Sequence, residues 1–130
     1  MEFQIEYDFD TEAQNLYNAW LNAEQHTEMT GGVARISEIV GENFTAWDEY
    51  ISGKNLILKP YVYIKQSWRT IEFPAKQEDS ILELFIEELD EGHSHIKLIH
   101  SNLTNSKADK AYERGWIDSY FIPMATYFNQ

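Results

Sequence analysis

Two polar residues, Gln66 and His100, lie in stretches of alternating apolar residues and are the first candidates for chemistry. Gln66 lies between Ile64 and Trp68 at a spacing of two. His100 follows Leu98 at the same spacing. Because side chains alternate between the faces of a strand, each polar group should share a face with its apolar neighbours. Two roles stay open: such groups orient ligands in apolar pockets, or they hydrogen-bond one another, a tyrosine or water within a closed core.

The other titratable residues form no recognisable catalytic or metal-binding motif. His93 and His95 lie beside a turn and share a strand face, but no third ligand stands at a suitable spacing, so we expect solvated histidines. The acidic residues around Asp90 have no accompanying nucleophile, and phosphate-binding glycine loops and dinucleotide fingerprints are absent from the sequence. We therefore expect no metal and no cofactor. Binding is favoured over catalysis, and an enzyme that uses His100 as an acid–base group stays open as an alternative.

The composition limits the classes of partner. The 130 residues carry a net charge of −12, which disfavours nucleic acid and anionic membranes. Cysteine is absent, no signal peptide is visible, and no apolar run reaches the roughly 20 residues that span a bilayer. These features predict a cytoplasmic protein with one domain over residues 1–130. The aromatic content of 15% suits either a dense core or a pocket wall.

The elements that must position these residues follow from periodicity. Period-two alternation and turn residues predict strands at 3–9, 34–39, 44–50, 55–59, 61–70, 80–89 and 95–103. Turns are expected at 41–43, 52–55 and 90–92. Helical spacing predicts two short helices at 12–21 and 23–29. The order favours an α+β fold with an antiparallel sheet of six or so strands and helices on one side.

A long helix is predicted over residues 106–128, where Tyr112, Trp116, Tyr120 and Met124 recur every four residues. Gly115 within this helix costs about 1 kcal/mol relative to alanine, which suggests close packing against the sheet. Pro123 predicts a bend or an irregularity. This helix would lie across the curved sheet and enclose a space.

An ordered set of short motifs covers nearly the whole chain and resembles the domain family named for the activator of Hsp90 ATPase. The motifs are Leu16-Tyr17-x-Ala19-Trp20, Thr30-Gly31-Gly32-x-Ala34-x-Ile36, Gly41-x-x-Phe44-Thr45-x-Trp47-Asp48-x-Tyr50-Ile51-x-Gly53, Pro60, Ile64-x-Gln66-x-Trp68-Arg69, His100-Ser101 and Gly115-Trp116. One departure is Glu49, where the family usually has glycine. If the turn there needs a positive φ, Glu49 would be strained by roughly 1 kcal/mol.

The resemblance implies a helix-grip fold of the START-like (SRPBCC) superfamily: a curved antiparallel sheet, two short N-terminal helices and one long C-terminal helix, often around a hydrophobic cavity. We expect a small hydrophobic or aromatic ligand in that cavity. The predicted lining residues are Trp20, Trp47, Ile64, Gln66, Trp68, Leu84, Leu98, His100, Trp116, Tyr120 and Met124.

The alternative implied by the resemblance is a protein-interaction module for an Hsp90-type chaperone. Eukaryotic members carry an additional N-terminal domain that these 130 residues do not contain, so a direct co-chaperone role is the weaker expectation. A monomer or a weak homodimer is expected in either case.

Overall fold

A six-stranded antiparallel sheet and a long C-terminal helix form the frame of the molecule. The structure is a computed structural model and describes residues 1–129. The strands are β1 (Phe3–Phe9), β2 (Asn43–Ala46), β3 (Ile51–Lys59), β4 (Tyr63–Thr70), β5 (Ser80–Asp90) and β6 (His93–Ser101). The helices are α1 (Ala13–Leu21), α2 (Ala23–Thr30), α3 (Lys107–Trp116), a π-helical turn (Ile117–Phe121) and α4 (Ile122–Phe128).

The strands are arranged in the order β1-β6-β5-β4-β3-β2, with every neighbouring pair antiparallel. Register places Ile64 opposite Leu84, and Leu84 opposite Leu98, so these three side chains lie side by side on one face. All three are fully buried. The alternation seen in the sequence therefore assigned the buried face correctly, and the α+β helix-grip fold is confirmed.

The C-terminal helix runs without a break from Lys107 to Phe128 but changes its winding in the middle. The Ser106 side chain accepts from the Asp109 backbone N–H and begins the helix, as an N-cap serine does. Ile122 N–H donates to the Ile117 carbonyl five residues back, which is the π-helical hydrogen bond. Pro123 follows at once and has no N–H to donate. The irregularity predicted near Pro123 is thus a π turn on its N-terminal side.

The chain between α2 and β3 differs from the prediction. Residues 34–39 form a loop with one isolated bridge, Arg35 to Thr45, instead of a strand. The buried Asn55 side chain holds this loop by donating to the carbonyls of Ser37 (2.8 Å) and Ile39 (3.1 Å). Because the Asn55 side chain of β3 satisfies these backbone carbonyls, residues 34–39 do not need the backbone hydrogen bonds of a paired strand.

The strand predicted over 44–50 ends at Ala46, and the turn predicted at 52–55 is part of β3. Trp47, Asp48 and Glu49 have φ of 52°, 57° and 72°, so three consecutive residues occupy the left-handed region and reverse the chain there. Gly53 lies within β3, where an added Cβ would collide with the Ser67 carbonyl oxygen. That glycine marks a close approach between strands, and the turn lies before it.

Within the described residues, no helix is both long and apolar enough to cross a bilayer.

Candidate ligand cavity

A cavity of about 880 Å³ lies between α3 with its π turn and the part of the sheet near β3 and β4. It is lined by Trp47, Tyr50, Ile51, Trp68, Glu72, Lys107, Ala108, Ala111, Tyr112, Gly115, Trp116, Ser119 and Tyr120. Ala108, Ala111 and Ser119 are exposed, so the cavity opens to solvent along the helix. Its volume falls in the range of small-molecule sites, about 300–1,000 Å³.

The helical wall of the cavity combines large rings with small residues. Tyr112, Trp116 and Tyr120 recur every four residues and present one face, and Trp116 and Tyr120 are in contact with ring centroids 4.8 Å apart. Gly115 lies on the same wall. A Cβ built at Gly115 meets no atom within 4 Å. The expectation that Gly115 packs closely on the sheet is therefore wrong, because the space beside it is the cavity.

Trp68 of β4 forms the floor of the cavity. Its ring lies 5.1 Å from Tyr112 at an interplanar angle of 80°, and 5.5 Å from Trp116. Edge-to-face and tilted arrangements of this kind are favourable between aromatic rings. The sheet and the helix thus meet through aromatic contacts beside the open space.

Polar groups are concentrated at the rim. The Tyr50 hydroxyl donates to Glu72 Oε2 at 2.8 Å, and the Tyr112 hydroxyl is hydrogen-bonded to Thr70 Oγ1 at 2.7 Å. Burial, with the hydrogen bond to Glu72 as a second cause, raises the pKa of Tyr50 well above its usual range. Burial likewise raises the pKa of Tyr112. Both phenols are therefore neutral hydrogen-bonding groups at physiological pH.

The left-handed turn places Trp47 at the edge of the cavity. A Cβ at Gly32 would lie 2.6 Å from Trp47 Cε3, so the absence of a side chain at Gly32 makes room for the indole. The turn is held by Asp48 N–H donating to the Val33 carbonyl and by Val33 N–H donating to Asp48 Oδ1. The Trp47 indole nitrogen is buried and has no hydrogen-bond partner among residues 1–129. Trp47 is one of the residues that line the cavity and adds an aromatic ring to its wall.

His100 is fully buried and both of its ring nitrogens are bonded within the protein. Trp116 Nε1 donates to His100 Nδ1 at 3.0 Å, and His100 Nε2 is 2.7 Å from Ser80 Oγ, which itself donates to the Trp68 carbonyl. This network fixes the tautomer with the proton on Nε2. Burial lowers the pKa of His100 to about 3. His100 is thus a neutral, fully bonded group with no nitrogen free for acid–base work.

Gln66 is bonded in a similar closed network. Its Oε1 accepts from Trp20 Nε1 at 3.2 Å, and its Nε2 donates to Asn55 Oδ1 at 2.8 Å. Asn55 in turn holds the loop that precedes β2. Gln66 and His100 do not touch each other, and each joins the sheet to a tryptophan on a helix.

His26 is a buried residue whose role the sequence did not indicate. Its Nδ1 donates to the Trp20 carbonyl at 2.7 Å, and its Nε2 accepts from the Tyr120 hydroxyl at 3.0 Å. Burial lowers the pKa of His26 to about 4. This neutral imidazole connects α2 to the π turn and so holds Tyr120 at the end of the cavity.

The predicted lining residues separate into two groups. Trp47, Trp68, Trp116 and Tyr120 line the cavity. The others lie in the closed core of residues 1–129 and do not line it: Trp20, Ile64, Gln66, Leu84, Leu98, His100 and Met124. The reason is that α1 packs on β5 and β6, whereas the cavity lies between α3 and the part of the sheet near β3 and β4.

His93 and His95 lie on the outer face of the sheet with carboxylates. His95 is hydrogen-bonded to Asp8 and Glu6, and the Asp8 hydrogen bond is the main reason why its pKa is raised. His93 is exposed beside Asp90. Among residues 1–129 no three His, Asp or Glu side chains are grouped to hold a metal ion.

Comparison with known families matches residues 10–129 to the family described as "Activator of Hsp90 ATPase homolog 1-like protein". Comparison with curated protein sequences found no match.

Several solved structures share the fold. A crystal structure of an HSP90 activator from Plasmodium falciparum is similar with a TM-score of 0.90 and 20% identity, covering 99% of this chain and 96% of that one. The solution structure of the Aha1 dimer from Colwellia psychrerythraea has a TM-score of 0.80 and 10% identity, covering 99% and 94%. CalU16 from Micromonospora echinospora has a TM-score of 0.76 and 19% identity, covering 95% and 76%. At identities this low the likeness establishes the fold alone.

Proposed function

Because this chain belongs to the Activator of Hsp90 ATPase homolog 1-like protein family and has an aromatic cavity beneath its C-terminal helix, we propose that it binds a small hydrophobic or aromatic ligand there. The observation that carries this function is the cavity itself. It has the volume of a small-molecule site, and six of its thirteen lining residues are aromatic. Apolar area removed from water would supply the binding free energy.

Gly115 gives independent support. A glycine inside a helix costs about 1 kcal/mol relative to alanine. No neighbour requires this glycine, since an added Cβ would meet nothing within 4 Å. Its structural effect is to leave the wall of the cavity open between Tyr112 and Trp116.

Specificity would come from the rim. Both polar side-chain atoms of Gln66, and both ring nitrogens of His100, are already hydrogen-bonded within the protein. Neither residue is therefore placed to orient a ligand. Glu72 and Lys107 are exposed, charged residues among those that line the cavity. We therefore place the orienting groups at the mouth of the cavity and the apolar contacts in its interior.

Titration with N-phenyl-1-naphthylamine, a neutral apolar dye, tests this function. We expect saturable binding of one dye per chain to the wild-type protein, followed by dye fluorescence. Gly115→Leu projects a side chain into the cavity and should weaken binding by about tenfold or more, because the dye and the leucine compete for the same space. Glu113→Leu is the matched control, since Glu113 lies on the same helix, is exposed and does not line the cavity.

Equal dye affinity in the wild-type protein and in both leucine variants would refute binding in this cavity. Circular dichroism of both variants would establish that the helix is intact. We expect Gly115→Leu to fold, because the space around position 115 is open.

The second candidate function is interaction with an Hsp90-type chaperone. It is supported by membership of the family and by the net charge of −12, which would complement a basic face on a partner. Stimulation of the ATPase of the chaperone from the same organism tests it directly. A chaperone that neither binds the purified protein nor hydrolyses ATP faster in its presence would rule this function out. Gly115→Leu separates the two functions, because filling the cavity with an apolar side chain should leave the net charge and the acidic surface unchanged.

We also propose that residues 1–130 act as one domain in the cytoplasm, as a monomer or a weak homodimer. One continuous core joins the sheet to all three helical regions within residues 1–129. Sedimentation equilibrium over a range of protein concentrations would distinguish the two assembly states.

A further inference from the structure

The cavity wall has the composition of a cation-binding site. Its aromatic members are Trp47, Tyr50, Trp68, Tyr112, Trp116 and Tyr120. The face of an aromatic ring is the negative region of its quadrupole, so rings surrounding a ligand attract a positive charge. Tryptophan is the strongest of the three aromatic side chains in this respect, and three of the six rings are tryptophan.

A carboxylate lies at the mouth of the same wall. Glu72 lines the cavity, and so does Tyr50, whose hydroxyl donates to Glu72 Oε2, so the carboxylate is positioned by a member of the wall. Among residues 1–129, no Lys, Arg or His nitrogen lies within 4 Å of the Glu72 carboxylate. Its charge is therefore available to a ligand.

Lys107 is the one basic residue on the lining and acts against a cationic ligand. It is exposed and stands at the start of α3, where solvent screens its charge. The field of the whole protein has the opposite sign, since the net charge is −12. A negative overall potential raises the local concentration of cations and lowers that of anions.

We propose that the ligand carries a positively charged nitrogen, as an alkylammonium or a quaternary ammonium attached to an apolar group. The apolar part lies among the rings of the cavity, and the ammonium group lies between the ring faces and Glu72. This inference rests on the proposed function, and it names the class of ligand for that site. It also predicts that fatty acids and other apolar anions are poor ligands.

Three probes that share a naphthylmethyl group test the inference by calorimetry in buffer of low ionic strength. They are (2-naphthylmethyl)trimethylammonium, 2-naphthylmethanol and 2-naphthylmethanesulfonate. We expect the cation to bind about tenfold or more tightly than the anion, from the combined effect of the rings and the carboxylate. Added salt should reduce this preference, because it screens the rim charges.

Glu72→Gln keeps an oxygen that accepts from Tyr50 and removes the charge. It should weaken binding of the cation by about twofold to fivefold, leave the alcohol unchanged within about twofold and strengthen the anion. Glu78→Gln is the matched control, because Glu78 is exposed in the same loop and does not line the cavity. It should change none of the three affinities by more than about twofold.

The outcomes distinguish a failure of the cationic-ligand inference from a failure of the proposed ligand-binding function. If the anion binds as tightly as the cation, or if Glu72→Gln changes all three affinities alike, a cationic ligand is refuted while the cavity stays a binding site. If none of the three probes binds but N-phenyl-1-naphthylamine does, the cationic ligand is refuted and the cavity stays a binding site. If the dye does not bind either, the proposed function fails with the inference.

Discussion

Two buried neutral histidines should make this protein sensitive to mild acid. Burial lowers the pKa of His26 from 6.5 to about 4 and the pKa of His100 from 6.5 to about 3. In the unfolded chain both side chains take up a proton near pH 6.5, whereas in the folded protein they stay neutral. The unfolded state therefore binds more protons below pH 6.5, and the free energy of unfolding falls as the pH falls.

The magnitude follows from the two shifts. One pKa unit corresponds to about 1.4 kcal/mol, so lowering the pH from 7 to 5 costs about 2 kcal/mol for each histidine and about 4 kcal/mol for both. A domain of this size is stable by about 5–15 kcal/mol, so the loss is a large fraction of the total. The stability is fully present above pH 6.5 and is lost progressively down to the two lowered pKa values.

Other titrating groups act mainly outside this window. Hydrogen bonds to Asp90 and Asp8 raise the pKa values of His93 and His95, so their contribution is fully present below pH 6.5 and is lost as the pH rises through the raised values. The pKa of Asp109 is lowered: burial opposes the shift, and the hydrogen bonds from Thr104, Gln77 and Ser106 outweigh it. Its contribution is lost only below the usual range of aspartate. Between pH 6.5 and 5 the two buried histidines should dominate.

Urea unfolding of the wild-type protein at pH 7, 6 and 5 measures this loss. His26→Asn is the informative variant, because its amide nitrogen can still donate to the Trp20 carbonyl as His26 Nδ1 does. We expect a lower stability at pH 7 and a pH slope reduced by about half. His93→Asn is the control and should keep the wild-type slope below pH 6.5. A wild-type free energy of unfolding that does not change between pH 6.5 and 5, or an unchanged slope in His26→Asn, would refute the reasoning.

Three further substitutions test the packing by urea unfolding at pH 7. Gly115→Ala should raise the free energy of unfolding by up to about 1 kcal/mol, because alanine is the better helix former and an added Cβ meets open space; a loss of stability would show that the helix lies closer to the sheet. Gly53→Ala should destabilise by more than about 3 kcal/mol, because the new Cβ collides with the Ser67 carbonyl; near-wild-type stability would disprove that approach. Gln66→Leu should cost about 2–4 kcal/mol, because it leaves the Trp20 indole N–H and the Asn55 amide oxygen without a partner; a loss below about 1 kcal/mol would contradict the network.

The periodicity of apolar residues was enough to predict the strand and the helix whose side chains line the cavity. Alternation placed Ile64, Gln66 and Trp68 on one face of a strand, and that face is buried. Spacing by four residues determined the long helix and put Tyr112, Trp116 and Tyr120 on one side of it. Both signals are local, because a strand alternates every two residues and a helix turns every 3.6. The ordered motifs added the family and, through it, the helix-grip fold.

The left-handed turn at residues 47–49 could not be predicted from the residue types of this chain, and only the glycine usual in the family at position 49 pointed to a positive φ there. Tryptophan, aspartate and glutamate are not glycine, and positive φ is uncommon for them. Contact with a distant segment holds this conformation: the Val33 backbone is hydrogen-bonded to both the backbone and the side chain of Asp48, and Gly32 leaves space for Trp47. The sequence predicts a turn around Gly53 instead. Glycine is favoured both in turns and where two strands approach closely, so its presence there does not distinguish the two.

Only the tertiary structure decided which aromatic side chains line a cavity and which fill the core. Trp20 and Trp116 both lie on amphipathic helices, and each donates its indole N–H to a polar side chain of the sheet. They differ because α1 packs on β5 and β6, whereas α3 leaves the part of the sheet near β3 open. Sequence determines the face on which a side chain lies, since that depends on its immediate neighbours along the chain. Whether that face meets another element or an open space depends on how elements distant in the sequence pack together. The spacing of residues along the chain does not determine that packing.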